Sequence, residues 1–260
     1  MQVELFSAKP GVAASMLSVL IPGALEEPRD LQSAGFLTAV RGRHLAIDVA
    51  LVAPQLAHVT DRSALARLHS EVVGPARASG RVAVWFAGVS LGGFLALLYA
   101  AEHTTELDGI CLLSPYLGNR RITTEIAGFR SLADWSAGGS GIHDELIEER
   151  RVWRYVASST PHAPLIRYLG FGREDRFATA QRLLAGQLPA QAVDVVDGGH
   201  DPTVWRHLWD RFLDRLANTK AELHLSPRPQ RYQSQPSTKE WAPRSSSAWP
   251  SMAWRCCCCC

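Results

Sequence analysis

Cysteine is nearly missing from the body of this 260-residue chain: Cys111 stands alone, and the other five form the run 256–260. Consecutive cysteines at a terminus have no spacing suited to a disulfide framework or a tetrahedral zinc site, so a reducing, cytoplasmic location is expected. Lysine is scarce too, at Lys9, Lys220 and Lys239, and most positive charge before the last forty residues is arginine. The net charge is only +2, and residues 219–260 carry six Lys/Arg against two Asp/Glu, which leaves the rest slightly acidic. Nothing in that balance draws nucleic acid or an anionic membrane. No apolar run has the length of a membrane span. Val12 to Leu25 is apolar enough for a signal-peptide core, but only Lys9 precedes it and it ends in a strand-and-loop pattern, so no signal peptide is expected. Metal chemistry lacks an H-x-x-x-H pair or an acidic cluster. Nucleotide binding lacks the P-loop Lys-Ser/Thr and the G-x-G-x-x-G spacing.

What is present is an ordinary globular composition, 47% hydrophobic and 20% charged, long enough for a sizeable core in one α/β domain or two small ones. Short β-rich runs are expected at Ser18–Ile21, Leu45–Val52, Val82–Ala87, Leu107–Ser114, Pro164–Gly170 and Ala192–Val196. Helical spacing is expected over Arg62–Ala78, Gly92–Ala101, Thr179–Leu188 and Pro202–Leu216. Strands alternating with helices, and apolar throughout, predict an α/β fold with a mostly parallel central sheet covered by helices on both faces. Residues 1–217 form this expected domain. Leu117 to Ala163 interrupts the rhythm with helices and loops, and residues 118–163 read either as a lid-like insertion or as a crossover helix with an elaborated loop. From Asn218 the pattern collapses into five prolines, seven serines and three tryptophans without periodicity, so 218–260 is expected to be a disordered tail.

Gly88-Val89-Ser90-Leu91-Gly92 follows the strand-like VAVWFA and precedes the helix-forming FLALLYAA. A serine hydroxyl is a poor nucleophile and needs a base within hydrogen-bond reach and donors for the oxyanion it generates. A sharp strand-to-helix turn lifts the side chain above the sheet and offers a backbone N–H at the helix start. Such a turn requires small residues two positions before and after the serine. Ser90 is therefore the candidate nucleophile, with Leu91 as one oxyanion donor. The acid should follow a later strand, where LIRYLGFGREDRF supplies Glu174 and Asp175. Asp175 is preferred, being shorter and at G-x-x-D spacing from Gly172. The base should follow the last strand, where His200 stands after Gly198-Gly199, with Asp201 as a helix N-cap. His69 and His207 fall inside helices, His103 near a helix end, and His143 and His162 in the insertion. A second oxyanion donor is expected at Ala24, in the loop Leu20-Ile21-Pro22-Gly23-Ala24, with Leu25 as the fallback.

FAGVSLGG, GREDRF and GGHD, in that order and each in strand–helix context, make Ser18–Leu216 resemble the α/β-hydrolase family. The resemblance implies a parallel sheet, a Ser90–His200–Asp175 triad, an oxyanion hole at Ala24 and Leu91, and no cofactor. Pro22-Gly23 stands where many members have His-Gly, and the early first strand implies a small sheet lacking an edge strand or two. The expected activity is hydrolysis of a carboxylic ester or thioester of a small-molecule acyl substrate. Tyr116, Leu117 and Trp135 are candidates for the acyl pocket. Amide hydrolysis on the same triad and a non-catalytic ligand-binding relative are the alternatives.

Overall fold

The computed structural model describes residues 1–9, 11–24, 26–54, 63–81, 83–138, 147–158 and 165–219. Seven strands occur among them: β1 (Gln2–Phe6), β2 (Met16–Ile21), β3 (Ile47–Ala53), β4 (Ala83–Val89), β5 (Gly109–Leu113), β6 (Ile166–Gly172) and β7 (Val193–Val196). They form one sheet in the order β1-β3-β2-β4-β5-β6-β7. All pairings are parallel except β1 with β3. The α/β class with a mostly parallel sheet is thus the one expected from the strand–helix rhythm.

Parallel strands covered on both faces must be apolar on both, and β2, β4 and β5 satisfy this. Val19 and Ile21 point into a core shared with the helix α5 (Leu91–Glu102), whereas Leu20 joins Phe36 and Trp209 on the opposite face. That opposite core is closed by α1 (Pro28–Ser33), α2 (Phe36–Gly42) and α10 (Pro202–Thr219), while α9 (Ala178–Ala185) adds Ala178, Ala180 and Leu184 to the first. Phe36 stacks on Trp209 at 5.8 Å, and the Trp209 Nε1–H donates to the Phe36 carbonyl. α10 presents Val204, Trp205, Leu208, Trp209, Phe212 and Leu213 to this core. It runs to Thr219, past residue 217, where the domain was expected to end. Residues 220–260 of the expected tail lie outside the described residues.

Three features depart from the expected pattern. The edge strand β1 lies outside the expected runs: Val3 and Leu5 are exposed, so QVELF has no continuous apolar signature. α1 and α2 lie outside them too, although Pro28 opens α1 and Asp30 accepts the Glu27 N–H at its start. The single helix expected over Arg62–Ala78 is three pieces: α3 (Ser63–Leu68), a π-helical turn at His69–Val73, and α4 (Gly74–Ala78). Pro75 has no N–H to give the preceding turn, and the Gly74 N–H reaches back five residues to the His69 carbonyl.

The described parts of the insertion are α6 (Arg120–Ala127), α7 (Leu132–Gly138) and α8 (Ile147–Ser158). α8 packs on α5. The Arg150 guanidinium forks onto both oxygens of Glu125 at 2.6 Å, while Trp135 donates to Glu125 and Trp153 to the Leu117 carbonyl. No helix among the described residues is long and apolar enough to cross a membrane.

One buried carboxylate ties the start of the sheet together. Asp48 on β3 is fully buried and accepts the Ala8 and Ala14 N–H groups at 2.8 and 3.1 Å, with Arg81 at 2.7 Å. Asp48→Asn keeps one acceptor but leaves the Arg81 charge uncompensated. We expect it to cost about 2–3 kcal/mol, read as a lower urea midpoint at unchanged slope.

Candidate active site

β4 ends at Val89, α5 begins at Leu91, and Ser90 makes the whole turn between them at φ 50° and ψ −115°. An L-residue adopts that conformation only under constraint. Its N–H donates to the Leu113 carbonyl, and its carbonyl accepts the N–H groups of Gly93 and Tyr116, each at 3.0 Å. The flanking glycines permit this approach. A Cβ at Gly92 would stand 2.1 Å from the Ile21 carbonyl oxygen, and one at Gly88 would stand 2.4 Å from the Gly93 nitrogen. The small-residue requirement inferred from the sequence is therefore a requirement of backbone packing.

Three loops at the carboxyl ends of β4, β6 and β7 bring Ser90, Asp175 and His200 into one hydrogen-bonded row. His200 Nε2 lies 2.9 Å from Ser90 Oγ, and His200 Nδ1 lies 2.9 Å from Asp175 Oδ2. With the Nδ1–H donating to Asp175, Nε2 is left to accept from the serine hydroxyl. The Asp175 side chain is wholly buried and that of His200 nearly so. Burial alone would push the Asp175 carboxyl up. Hydrogen bonds from His200 and from the Phe177 N–H outweigh it and hold the group below its ordinary value.

The neighbouring residues separate the alternatives. Glu174 is exposed and its carboxylate accepts the Gly198 N–H at 2.7 Å, so it shapes the loop that carries His200 and does not touch the imidazole. β6 and the His200 loop approach closely enough that a Cβ on Gly172 would fall 2.2 Å from the Gly198 carbonyl oxygen. Asp201 caps α10 as expected, accepting the Thr203 and Val204 N–H groups. His69 instead stacks on His103 and bonds to the Tyr99 hydroxyl, partly buried beside α5.

Several residues at the site were not legible in the sequence. Phe177 and Trp205 stand edge-on to the His200 ring at 4.9 and 5.1 Å, fixing its plane. Gln181 is fully buried and donates to the Pro115 carbonyl. Tyr116 meets Phe94 and Phe177 edge-on. It stands beside the serine, whereas Leu117 and Trp135 are completely buried in the core under the insertion. The two therefore contribute packing and no free wall to the site.

A cavity of about 30 Å³ opens at the start of α5, lined among the described residues by Pro22, Gly23, Ala24, Glu26, Pro54, Leu91 and Leu95. Its walls include both residues expected to supply oxyanion donors; the fallback Leu25 lies outside the described residues. The Gly23 N–H is occupied, donating to Glu26 Oε2 at 2.9 Å. Glu26 was not anticipated. Burial pushes its carboxyl above the ordinary value, offset in part by the Gly23 N–H; the nearby Asp30 charge adds to the rise and His200 opposes it. Among the described residues no cluster of three or more His, Cys, Asp or Glu is placed to hold a metal ion.

This architecture has well-matched counterparts among solved structures. Alpha/beta hydrolase domain-containing protein 10 from mouse superposes at a TM-score of 0.53 with 16% identity, covering 84% of this chain and 94% of its own. The monoacylglycerol lipase of Paleococcus ferrophilus gives 0.52 and 14%, covering 84% and 99%. Est1E from Butyrivibrio proteoclasticus, with ferulic acid bound, gives 0.52 and 15%, covering 85% and 94%. No protein-family model matches the sequence, and no curated protein matches it. The chain has the α/β-hydrolase fold, with a serine, a histidine and an aspartate aligned at the carboxyl edge of its sheet.

Proposed function

We propose that the protein is a serine hydrolase that cleaves a carboxylic ester or thioester of a small-molecule substrate through an acyl-enzyme. The observation that carries this reading is the row Ser90 Oγ, His200, Asp175, with both contacts at 2.9 Å and the serine held at an enforced backbone turn. His200 Nε2 takes the Ser90 proton as Oγ attacks the carbonyl carbon. The Leu91 and Ala24 amides receive the oxyanion, and Asp175 holds the imidazole in the required tautomer and stabilises the imidazolium. His200 then returns the proton to the leaving alcohol or thiol. In the second half it deprotonates a water that attacks the acyl carbon, which releases the acid and restores Ser90. Every step uses groups of this chain alone. The fold shared with an esterase and a lipase is consistent with ester chemistry, and a cytoplasmic location is part of the same proposal.

Intact mass after incubation with a fluorophosphonate tests it, beside Ser90→Ala. One adduct on the wild type and none on the variant is the expected result. A folded wild-type protein that stays unmodified would overturn the reading and favour a ligand-binding relative.

A further inference from the structure

We propose that Glu26 is a specificity-determining residue of the Ser90 site, selecting short acyl groups that carry an ammonium on the α or β carbon. The inference rests on the serine-hydrolase reading and names the substrate class of that same site.

The geometry places Glu26 against the reacting centre. A single point, the ideal Cβ position of Gly23, lies 2.9 Å from Glu26 Oε2 and 3.4 Å from Ser90 Cβ. Both the Glu26 carboxylate and the Ser90 side chain therefore border the Gly23 backbone. Glu26 also lines the cavity that carries Ala24 and Leu91, where Pro54 and Leu95 make the wall apolar. It is the one charged side chain among the described residues of that lining. At about 30 Å³ the cavity holds one or two water-sized groups. An ammonium fits such a volume; a guanidinium or a long acyl chain does not.

The charge inventory points the same way. Oε2 accepts the Gly23 N–H, and among the described residues no lysine or arginine lies within ion-pair distance of Glu26. Burial, and to a lesser degree the neighbouring negative charge of Asp30, raises its carboxyl above the ordinary value. Such a carboxylate beside an oxyanion hole works against catalysis on a neutral acyl group, because two negative charges then share a poorly solvated space. A cation on the acyl group reverses the sign. It neutralises Glu26, donates a charge-assisted hydrogen bond to Oε1, and stands beside the oxyanion as that charge develops. Recognition and transition-state stabilisation then come from one side chain.

Glu26 also closes the Gly23–Glu26 turn, its own N–H lying 3.4 Å from the Gly23 carbonyl oxygen. Glu26→Gln keeps an acceptor for the Gly23 N–H and removes only the charge. The test measures rates of Ser90 phosphonylation by intact mass with two probes. Diphenyl 2-aminoethylphosphonate carries an ammonium where diphenyl propylphosphonate carries a methyl, so the two are nearly isosteric. The ratio of their rates within each variant cancels any general change in reactivity. We expect the wild type to favour the cationic probe about tenfold or more, the worth of one charge-assisted contact. Glu26→Gln should bring the ratio down to within about threefold of unity. An equal ratio in the two proteins, or a wild type that favours the propyl probe, overturns the assignment. Fluorophosphonate labelling run alongside separates the two levels. A Ser90 that reacts without cation preference sinks only the role of Glu26, and a Ser90 that reacts with none of the probes sinks the hydrolase reading as well.

Discussion

Asp175→Asn should lower kcat/KM on an activated ester about a thousandfold to ten-thousandfold while leaving the fold intact, the loss seen in serine hydrolases whose orienting acid is amidated. The cause is the tautomer. The aspartate accepts from His200 Nδ1, which leaves Nε2 free to accept from Ser90 at 2.9 Å. An asparagine amide turned toward Nδ1 donates instead, the imidazole proton moves to Nε2, and the base is lost without any change of shape. Glu174 cannot substitute, because its carboxylate is committed to the Gly198 N–H. Steady-state rates together with circular dichroism make the check, and a loss below about tenfold would remove Asp175 from the row. The same variant has a stability signature. The Asp175 carboxyl sits below its ordinary value of 3.8, so its ionised form stabilises the native state above that pH. The contribution disappears as pH falls through the depressed folded value. Asp175→Asn should therefore show a shallower acid limb in urea midpoint against pH than the wild type.

Gly92→Ala should be among the most damaging single-methyl changes at the described glycines. Its Cβ would lie 2.1 Å from the Ile21 carbonyl oxygen and 2.6 Å from that of Pro22, both backbone atoms with no rotamer to yield. Relief requires α5 to lift off the sheet or β2 to shift, and either move breaks the Ser90 turn. We expect a loss above about 4 kcal/mol, seen as a protein that is insoluble or melts far below the wild type. Gly42→Ala is the control. That glycine ends α2 with nothing within 4 Å of the added methyl, so alanine should be neutral or stabilising by up to about 1 kcal/mol. A Gly92→Ala protein that melts alongside Gly42→Ala would show that the turn tolerates expansion.

The residues that proved easy to place in advance were those whose local pattern and tertiary role coincide. β4 and α5 are apolar runs on either side of a glycine-flanked serine, and burial on both faces keeps such runs continuous. Asp175 and His200 sit in glycine-bounded loops directly after strands, so their positions follow from where the strands end. β1 is hard to read because its apolar Val3 and Leu5 are exposed, so the short alternation in QVEL marks no buried face. The partition of 62–78 escaped because a helical stripe survives an i→i+5 bond, and only the missing N–H of Pro75 marks the break. Trp135 looked like a pocket residue because it lies in the insertion. Its indole N–H finds Glu125 ten residues upstream, a pairing that only the fold of the insertion brings about. Glu26 was invisible for a different reason. Its proximity to Ser90 arises from two loops meeting across β2 and β4, and no spacing along the chain encodes it.

The parallel order of the strands also sets a schedule. The Ser90–His200 contact joins residues 110 positions apart, and its two ends lie just past β4 near the middle of the sheet and just past β7 at its edge. During synthesis Ser90 leaves the ribosome well before His200, and a parallel edge strand cannot dock until the chain between has been made. The growing polypeptide thus carries an inert hydroxyl until its final strand is in place. Acquisition of covalent reactivity at Ser90 would mark the moment the sheet closes, a chemical clock for the last step of folding.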